Sequence, residues 1–165
     1  MDSLVTFLKA LLNPSKFNKT QISWGHRPSK FVGASSGCYL LPALPLIFCC
    51  APGSFSQFYS AAFVVQTVFS FLSDYVYSGI HCVVHGLDRT LASLLTLRML
   101  LFAAGAVNLS WATLAVVPLS CFFLSKSASS RGDYNSYVAW HSLWHVTSGT
   151  LVAVTVWLAS AGHNC

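Results

Sequence analysis

Residues 137–160 are YVAWHSLWHVTSGTLVAVTVWLAS, and this stretch decides the fold class. It contains no Asp, Glu, Lys or Arg, and most of its side chains are apolar. A helix needs roughly 20 mostly apolar residues to cross the hydrocarbon core of a bilayer, and this stretch is longer than that. We therefore predict a transmembrane helix here and name it span E.

Four further apolar runs lie before span E. We name them spans A, B, C and D, and they cover residues 36–51, 55–72, 91–107 and 109–124. Span A is short and contains Pro42 and Pro45, which membrane helices tolerate when neighbouring groups satisfy the freed backbone. Turn-forming residues follow span A at 52–54, and residues 125–136 are predicted to form a polar loop. The sequence thus predicts an all-α, polytopic transmembrane helical bundle with about five spans.

The composition of the whole chain agrees with a membrane protein. Hydrophobic residues make up 55% of the chain and charged residues only 8%, whereas soluble domains usually carry about 25% charged residues. Residues 1–35 are predicted to form a basic cytoplasmic segment with an interfacial helix up to Leu12. Residues 36–165 are predicted to form the bundle, whose surface contacts membrane lipids.

The basic residues predict the orientation of the bundle. Five of the nine precede span A, namely Lys9, Lys16, Lys19, Arg27 and Lys30. Arg89, Lys126 and Arg131 would lie on the same side of the membrane as these five. Because cytoplasmic loops of membrane proteins are enriched in Lys and Arg, we expect a cytoplasmic N-terminus and a C-terminus that is outside or lumenal. This distribution explains the net charge of +5 without nucleic-acid binding, which we do not expect.

Polar side chains recur at helical spacing between spans B and C. In chain order they are Asp74, Ser78, His81, His85 and Asp88. On a continuous helix they would form a seam about 80° wide that faces the bundle interior. Gly86 suits the position after a helix end and Asp88 suits an N-cap, so we expect a turn at residues 86–87. That turn would bring Asp74 and Arg98 to similar depth as an ion pair.

A second pair of histidines lies near the start of span E. His141 and His145 are four residues apart and therefore share one helix face. Span E begins on the side where span B ends, so we expect this pair at the level of His81, His85 and Asp88. Such a group suits a zinc ion, which binds three or four nitrogen or oxygen ligands. Zinc would activate water for attack on an amide or ester, with Asp88 orienting that water or acting as its base.

This pattern resembles the superfamily that joins alkaline ceramidases, adiponectin-receptor-like proteins and related lipid-remodelling membrane proteins. Its members resemble one another in a Ser and a His late in one span, an Asp that starts the next, and an HxxxH motif in the last. The HxxxH motif matches residues 141–145, HSLWH, and Asp88 matches the Asp by its position. Members have seven core spans, whereas five are predicted here.

The resemblance implies a zinc ion held by three histidines and hydrolysis of a lipid amide. His81 or His85 would then be the third ligand beside the HxxxH pair. Ser73 or Ser78 would be the family's Ser. Alignment on Asp88 places Tyr77 where the family has its first His.

Two other classes of function fit the same residues. One is an electron-transfer protein that holds a b-type haem between a His of the B–C hairpin and a His of span E. The other is a non-catalytic scaffold whose histidines are interfacial. The leading prediction is a zinc-dependent hydrolase of a lipid amide or ester, with Ser78 serving the oxyanion or supporting a ligand.

Overall fold

A computed structural model of the protein describes residues 24–50, 53–80 and 82–161. This part of the chain is all-helical and contains no strand. Five of its helices are long and apolar enough to cross a membrane, and they define spans A to E from here on: Lys30–Phe48, Phe55–Val76, Val84–Ala106, Leu109–Ser130 and Tyr134–Ala161. The prediction of an all-α bundle with five spans is confirmed. The interfacial helix predicted up to Leu12 lies outside the described residues.

Three of the spans depart locally from α-helical geometry. Span A consists of the helices Lys30–Ser36 and Ala43–Phe48, with a 3-10 turn at Gly37–Leu40 between them. Span B is α-helical over Ser54–Phe71 and forms a π turn at Leu72–Val76. Span D consists of the helix Leu109–Ala112, a 3-10 turn at Thr113–Ala115 and the helix Val116–Ser130. The irregular stretches of spans A and D precede Pro42 and Pro118, which lack the N–H that a continuous helix would use.

The turn between spans B and C lies earlier than the sequence suggested. Gly79 adopts the left-handed conformation, with φ of 75°, and span C already begins at Val84. Gly86 and Asp88 therefore lie inside a helix, and the predicted turn at residues 86–87 is wrong. The π turn and Gly79 end span B before Gly86 is reached.

The predicted ion pair between Asp74 and Arg98 is wrong for the same reason. Asp74 lies five residues before Gly79, whereas Arg98 lies nineteen residues after it, so the two are at different depths. Arg98 instead donates a hydrogen bond from Nε to the hydroxyl of Tyr59 over 3.0 Å. Its guanidinium also lies 5.5 Å from the centre of the Phe55 ring.

Span D continues through the first half of the predicted polar loop and ends at Ser130. Its last turns pack along span E, and Ser125, Ala128 and Ser129 are buried. Small side chains at these positions let two helices pack closely, which favours the helix over a loop. The connection between spans D and E is therefore short, because span E begins at Tyr134.

The bundle has an apolar end and a polar end. The apolar end contains the hydrophobic core, which includes Leu46 of span A, Phe63 of span B, Met99 and Phe102 of span C, and Val156 of span E. The polar end is where spans B and D end and spans C and E begin. Its buried polar side chains include Ser35, Ser36, Gln66, Ser70, Ser73, Asp74, Ser78, His85, Asp88, Ser125, Ser129, His141 and His145.

Spans A and E approach each other closely next to the polar end. A Cβ added to Gly149 would collide with the carbonyl oxygen of Cys38, so only glycine fits at this position. The close contact brings span A beside the histidine-bearing face of span E. As a result, the Tyr39 ring lies 5.2 Å from the His145 ring, measured between centroids.

Candidate metal centre

Asp74, His141 and His145 meet at the polar end of the bundle. All three are buried, and their potential ligand atoms lie within 4.8 Å of one another. Nε2 of His141 lies 3.1 Å from Oδ2 of Asp74, and Nε2 of His145 lies 3.4 Å from the same oxygen. Two imidazoles and one carboxylate are a common ligand set for divalent transition metals. This group could hold a metal ion.

Local helix geometry explains why these three side chains converge. The spacing of four residues places His141 and His145 on one face of span E. Asp74 lies in the π turn Leu72–Val76, at the end of span B. Single π turns inside α-helices occur frequently at functional sites.

The other ring nitrogens of the two histidines are held by serines. Nδ1 of His145 lies 3.0 Å from Oγ of Ser35, and Nδ1 of His141 lies 3.0 Å from Oγ of Ser125. Ser35 donates its single proton to the carbonyl oxygen of Val32 over 2.9 Å. Ser35 must therefore accept from Nδ1–H of His145, because a hydroxyl has only one proton to donate.

This hydrogen bond fixes the tautomer of His145. With the proton on Nδ1, the lone pair of Nε2 faces the carboxylate of Asp74. A nitrogen lone pair and a carboxylate oxygen repel each other unless a proton or a cation lies between them. Histidines that bind a metal usually donate their second N–H to an acceptor in this way.

Serines of spans A and B surround the Asp74 carboxylate. Oγ of Ser70 lies 3.3 Å from Oδ2 of Asp74 and 3.4 Å from Nε2 of His145, and it is within 3.2 Å of Oγ of Ser36. Oγ of Ser73 lies 3.4 Å from the other carboxylate oxygen. These hydroxyls orient the carboxylate toward the histidine pair.

His85 is not part of this group. Its Nδ1 lies 2.7 Å from Oγ of Ser73. Its Nε2 lies 3.1 Å and 3.0 Å from the carbonyl oxygens of Tyr77 and Ile80. His85 thus holds the turn between spans B and C, and His81 lies outside the described residues.

The predicted ligand set is therefore brought together only in part. His141 and His145 converge as predicted, and the third member of the group is Asp74, for which the predicted partner was Arg98. The signal that could have identified Asp74 was its place in the polar seam that also contains His85. Ser78 is buried in the turn, where its carbonyl oxygen lies 2.8 Å from Nδ1 of His26.

Asp88 lies beside the candidate centre. It accepts a hydrogen bond from Nε2 of Gln66 over 2.7 Å. Asp88, Asp74 and His141 all line one cavity of about 20 Å³. A cavity of that volume has room for about one water molecule.

A larger groove adjoins this cavity. It has a volume of about 410 Å³, lies between spans C, D and E, and is lined mainly by apolar side chains. Four residues line both the groove and the small cavity, namely Arg89, Phe122, Lys126 and Trp144. The groove and the small cavity are therefore adjacent.

Neither a protein-family model, nor a curated protein, nor a solved structure matches this chain. The resemblance to the ceramidase superfamily thus rests on the sequence motifs alone and stays an expectation.

Proposed function

We propose that this protein is a membrane-embedded, zinc-dependent hydrolase of a lipid ester or amide. One observation carries the proposal, namely the buried Asp74–His141–His145 group beside an apolar groove. Ionisable groups inside membrane spans are costly to bury and are usually functional. A metal that neutralises Asp74 accounts for the burial of this carboxylate beside two imidazoles.

The ligand set fits zinc. Asp74, His141 and His145 supply one oxygen and two nitrogens, and three protein ligands are typical of catalytic zinc sites, which keep a position open. The Nδ1 contacts of both histidines to Ser35 and Ser125 match the outer hydrogen bonds of such sites. When bound, zinc would acidify water and polarise a carbonyl group, which is the chemistry that acyl-bond hydrolysis needs.

Asp88 is placed to move the proton in this reaction. As the water oxygen bonds to the carbonyl carbon, Asp88 takes the proton that the water loses. It then returns that proton to the leaving oxygen or nitrogen when the ester or amide bond breaks. Gln66 fixes the carboxylate for this task through its 2.7 Å hydrogen bond.

The proposal places the polar end of the bundle at the cytoplasmic leaflet. Arg89, Lys126 and Arg131 lie at or near the span ends on this side, in agreement with the enrichment of cytoplasmic loops in basic residues.

A b-type haem site needs a different arrangement of histidines from the one in this bundle. A b-type haem between two helices requires one histidine from each helix on opposite faces of the porphyrin. Both histidines of span E reach one oxygen of Asp74, while His85 contacts Ser73 and backbone carbonyl oxygens. We therefore retain the hydrolase as the single proposed function.

Metal analysis tests the proposal directly. The full-length protein, purified in a neutral detergent without a metal-affinity tag, is expected to be colourless and to contain about one zinc ion per chain. Asp74→Asn and His141→Ala should each lose most of the zinc. His26→Gln is the matched control, because this histidine is exposed and lies outside the spans. The proposal is wrong if the wild type carries no zinc, or if His26→Gln loses as much as His141→Ala.

A further inference from the structure

We propose that the substrate is an anionic glycerophospholipid, bound with its phosphate on Arg89 and Lys126 and one acyl chain in the groove between spans C, D and E. This inference rests on the proposed function and adds the class of lipid on which the site acts. It depends on three features: the groove, the position of the two cations, and their continuity with the candidate centre.

The groove has the dimensions of a site for one acyl chain. Its volume of about 410 Å³ lies within the range of pockets that bind small molecules, which is about 300–1,000 Å³. Its wall on span C extends from Arg89 to Ala103, which corresponds to about 21 Å at a rise of 1.5 Å per residue. The groove is partly open, so a chain can enter it.

The two cations lie at the level of lipid headgroups. Arg89 is five residues from the start of span C, and Lys126 is four residues from the end of span D. Both positions are within about 8 Å of the helix ends, the region where Lys and Arg contact headgroups. The two side chains are close enough to interact electrostatically with each other. Both cations also line the apolar groove, so an anionic headgroup of a lipid in the groove could contact them.

The charges around the small cavity favour an anion once the metal is bound. A divalent ion with Arg89 and Lys126 brings four positive charges, and Asp74 and Asp88 bring two negative charges, which leaves two positive charges. A neutral lipid amide such as a ceramide would leave this excess uncompensated. A phosphate diester would offset part of it.

A glycerophospholipid carries a group for each of the three features of the site. Its phosphate and its acyl ester are attached to carbons of the same glycerol, and the acyl chain continues from the ester. In the protein, Arg89 and Lys126 line both the small cavity with Asp74 and His141 and the apolar groove. A phosphate on the cations at this junction would leave the ester within reach of the candidate centre and the acyl chain beside the groove.

A binding experiment with two probes that cannot be hydrolysed tests this inference. The first probe is a phosphatidylglycerol with two ether-linked chains, and the second is the diether glycerol with the same chains and no phosphate. Binding of each probe to the full-length, metal-containing protein is measured by native mass spectrometry from neutral detergent. The wild type should bind the phosphate-bearing probe about tenfold more tightly, as expected for charge-assisted hydrogen bonds.

Variants of one cation identify the source of this preference. Lys126→Gln should lose most of the tenfold preference, and Lys126→Arg should keep it. Arg131→Gln is the matched control, because Arg131 is an exposed cation near the same end of span D. Equal affinity of the wild type for both probes would overturn the inference. The inference would also be overturned if Lys126→Gln and Arg131→Gln lost the preference for the phosphate-bearing probe to the same extent. If Lys126→Gln does not fold, the comparison of the two probes on the wild type still tests whether the site prefers a phosphate.

The results also separate this inference from the proposed function. A phosphate preference that depends on Lys126 in a protein without zinc would support the lipid site and remove the hydrolase. Bound zinc together with fatty-acid release from a neutral lipid amide, but not from phosphatidylglycerol, would retain the hydrolase and remove the anionic substrate.

Discussion

Nδ1 of His145 and Oγ of Ser35 lie 3.0 Å apart, and this contact joins span E to the first turns of span A. Ser35 donates its own proton to Val32, so it can only accept from the imidazole. The contact holds the His145 ring with Nε2 toward Asp74. The metal affinity of the site should therefore depend on a residue that does not bind the metal.

The first prediction concerns this serine. Ser35→Ala should weaken zinc binding by roughly 10–100-fold, because His145 loses the acceptor that fixes its tautomer and orientation. Ser35→Thr should retain most of the affinity, since it keeps the hydroxyl. Zinc affinity is measured by competition with a chromophoric chelator. Ser60→Ala is the control, because the buried Ser60 hydroxyl has no hydrogen-bond partner among the described residues. Wild-type affinity in Ser35→Ala would contradict the assigned tautomer.

The second prediction concerns the hydrogen bond between Gln66 and Asp88. Gln66 is only 1% exposed, and its amide nitrogen donates to the carboxylate over 2.7 Å. Gln66→Leu removes the donor and leaves a buried carboxylate with one partner fewer, which should lower the free energy of unfolding by about 1–3 kcal/mol. Gln57→Leu, at an exposed position of the same span, should change it little. Unfolding in mixed micelles measures both, and equal stability of the two variants would show that Gln66 does not support Asp88.

The apolar runs were sufficient to predict the number and approximate positions of the spans. The order of the spans also predicted that the polar seam and the HxxxH motif lie at the same end of the bundle, because each span reverses the direction of the chain. Span A was placed six residues too late at its start, because Lys30, Gly33 and Ser35 interrupt the apolar run, whereas tertiary packing buries one face of this helix at Val32, Gly33 and Ser35. Packing of this kind is not visible in local composition.

The partner of Asp74 could not be predicted because it depends on which of two glycines forms the turn between spans B and C. Gly79 and Gly86 both suit a helix end, and local sequence does not tell which one adopts a positive φ. Moving the turn from one to the other changes the depth of span C against span B by about 14 residues, which is about four helical turns. This difference separates Arg98 from Asp74, so the carboxylate reaches the histidines of span E instead.

The third prediction tests the position of that turn. At Gly79, φ is 75° and an added Cβ would collide with the carbonyl oxygen of Gly25, so Gly79→Ala should destabilise the protein. At Gly86, an added Cβ has no atom within 4 Å. Gly86→Ala should therefore leave stability unchanged or raise it by up to about 1 kcal/mol, since alanine favours a helix interior. The midpoint of thermal unfolding in detergent compares the two variants. A lower midpoint for Gly86→Ala than for Gly79→Ala would place the turn at residues 86–87.

The fourth prediction concerns the orientation of the bundle in the membrane. Cys49 and Cys82 are both free; Cys49 lies at the end of span A, and Cys82 lies in the turn between spans B and C. They are therefore on opposite sides of the membrane. With the polar end cytoplasmic, a membrane-impermeant maleimide added to sealed cells should label Cys49, and it should label Cys82 only after permeabilisation. For an internal membrane, sealed vesicles with their cytoplasmic face outward should give the reverse result.

Cys49→Ser and Cys82→Ser identify which signal belongs to which thiol. Labelling of Cys82 in sealed cells would invert the orientation and place the candidate centre at the outer leaflet, while leaving its geometry unchanged.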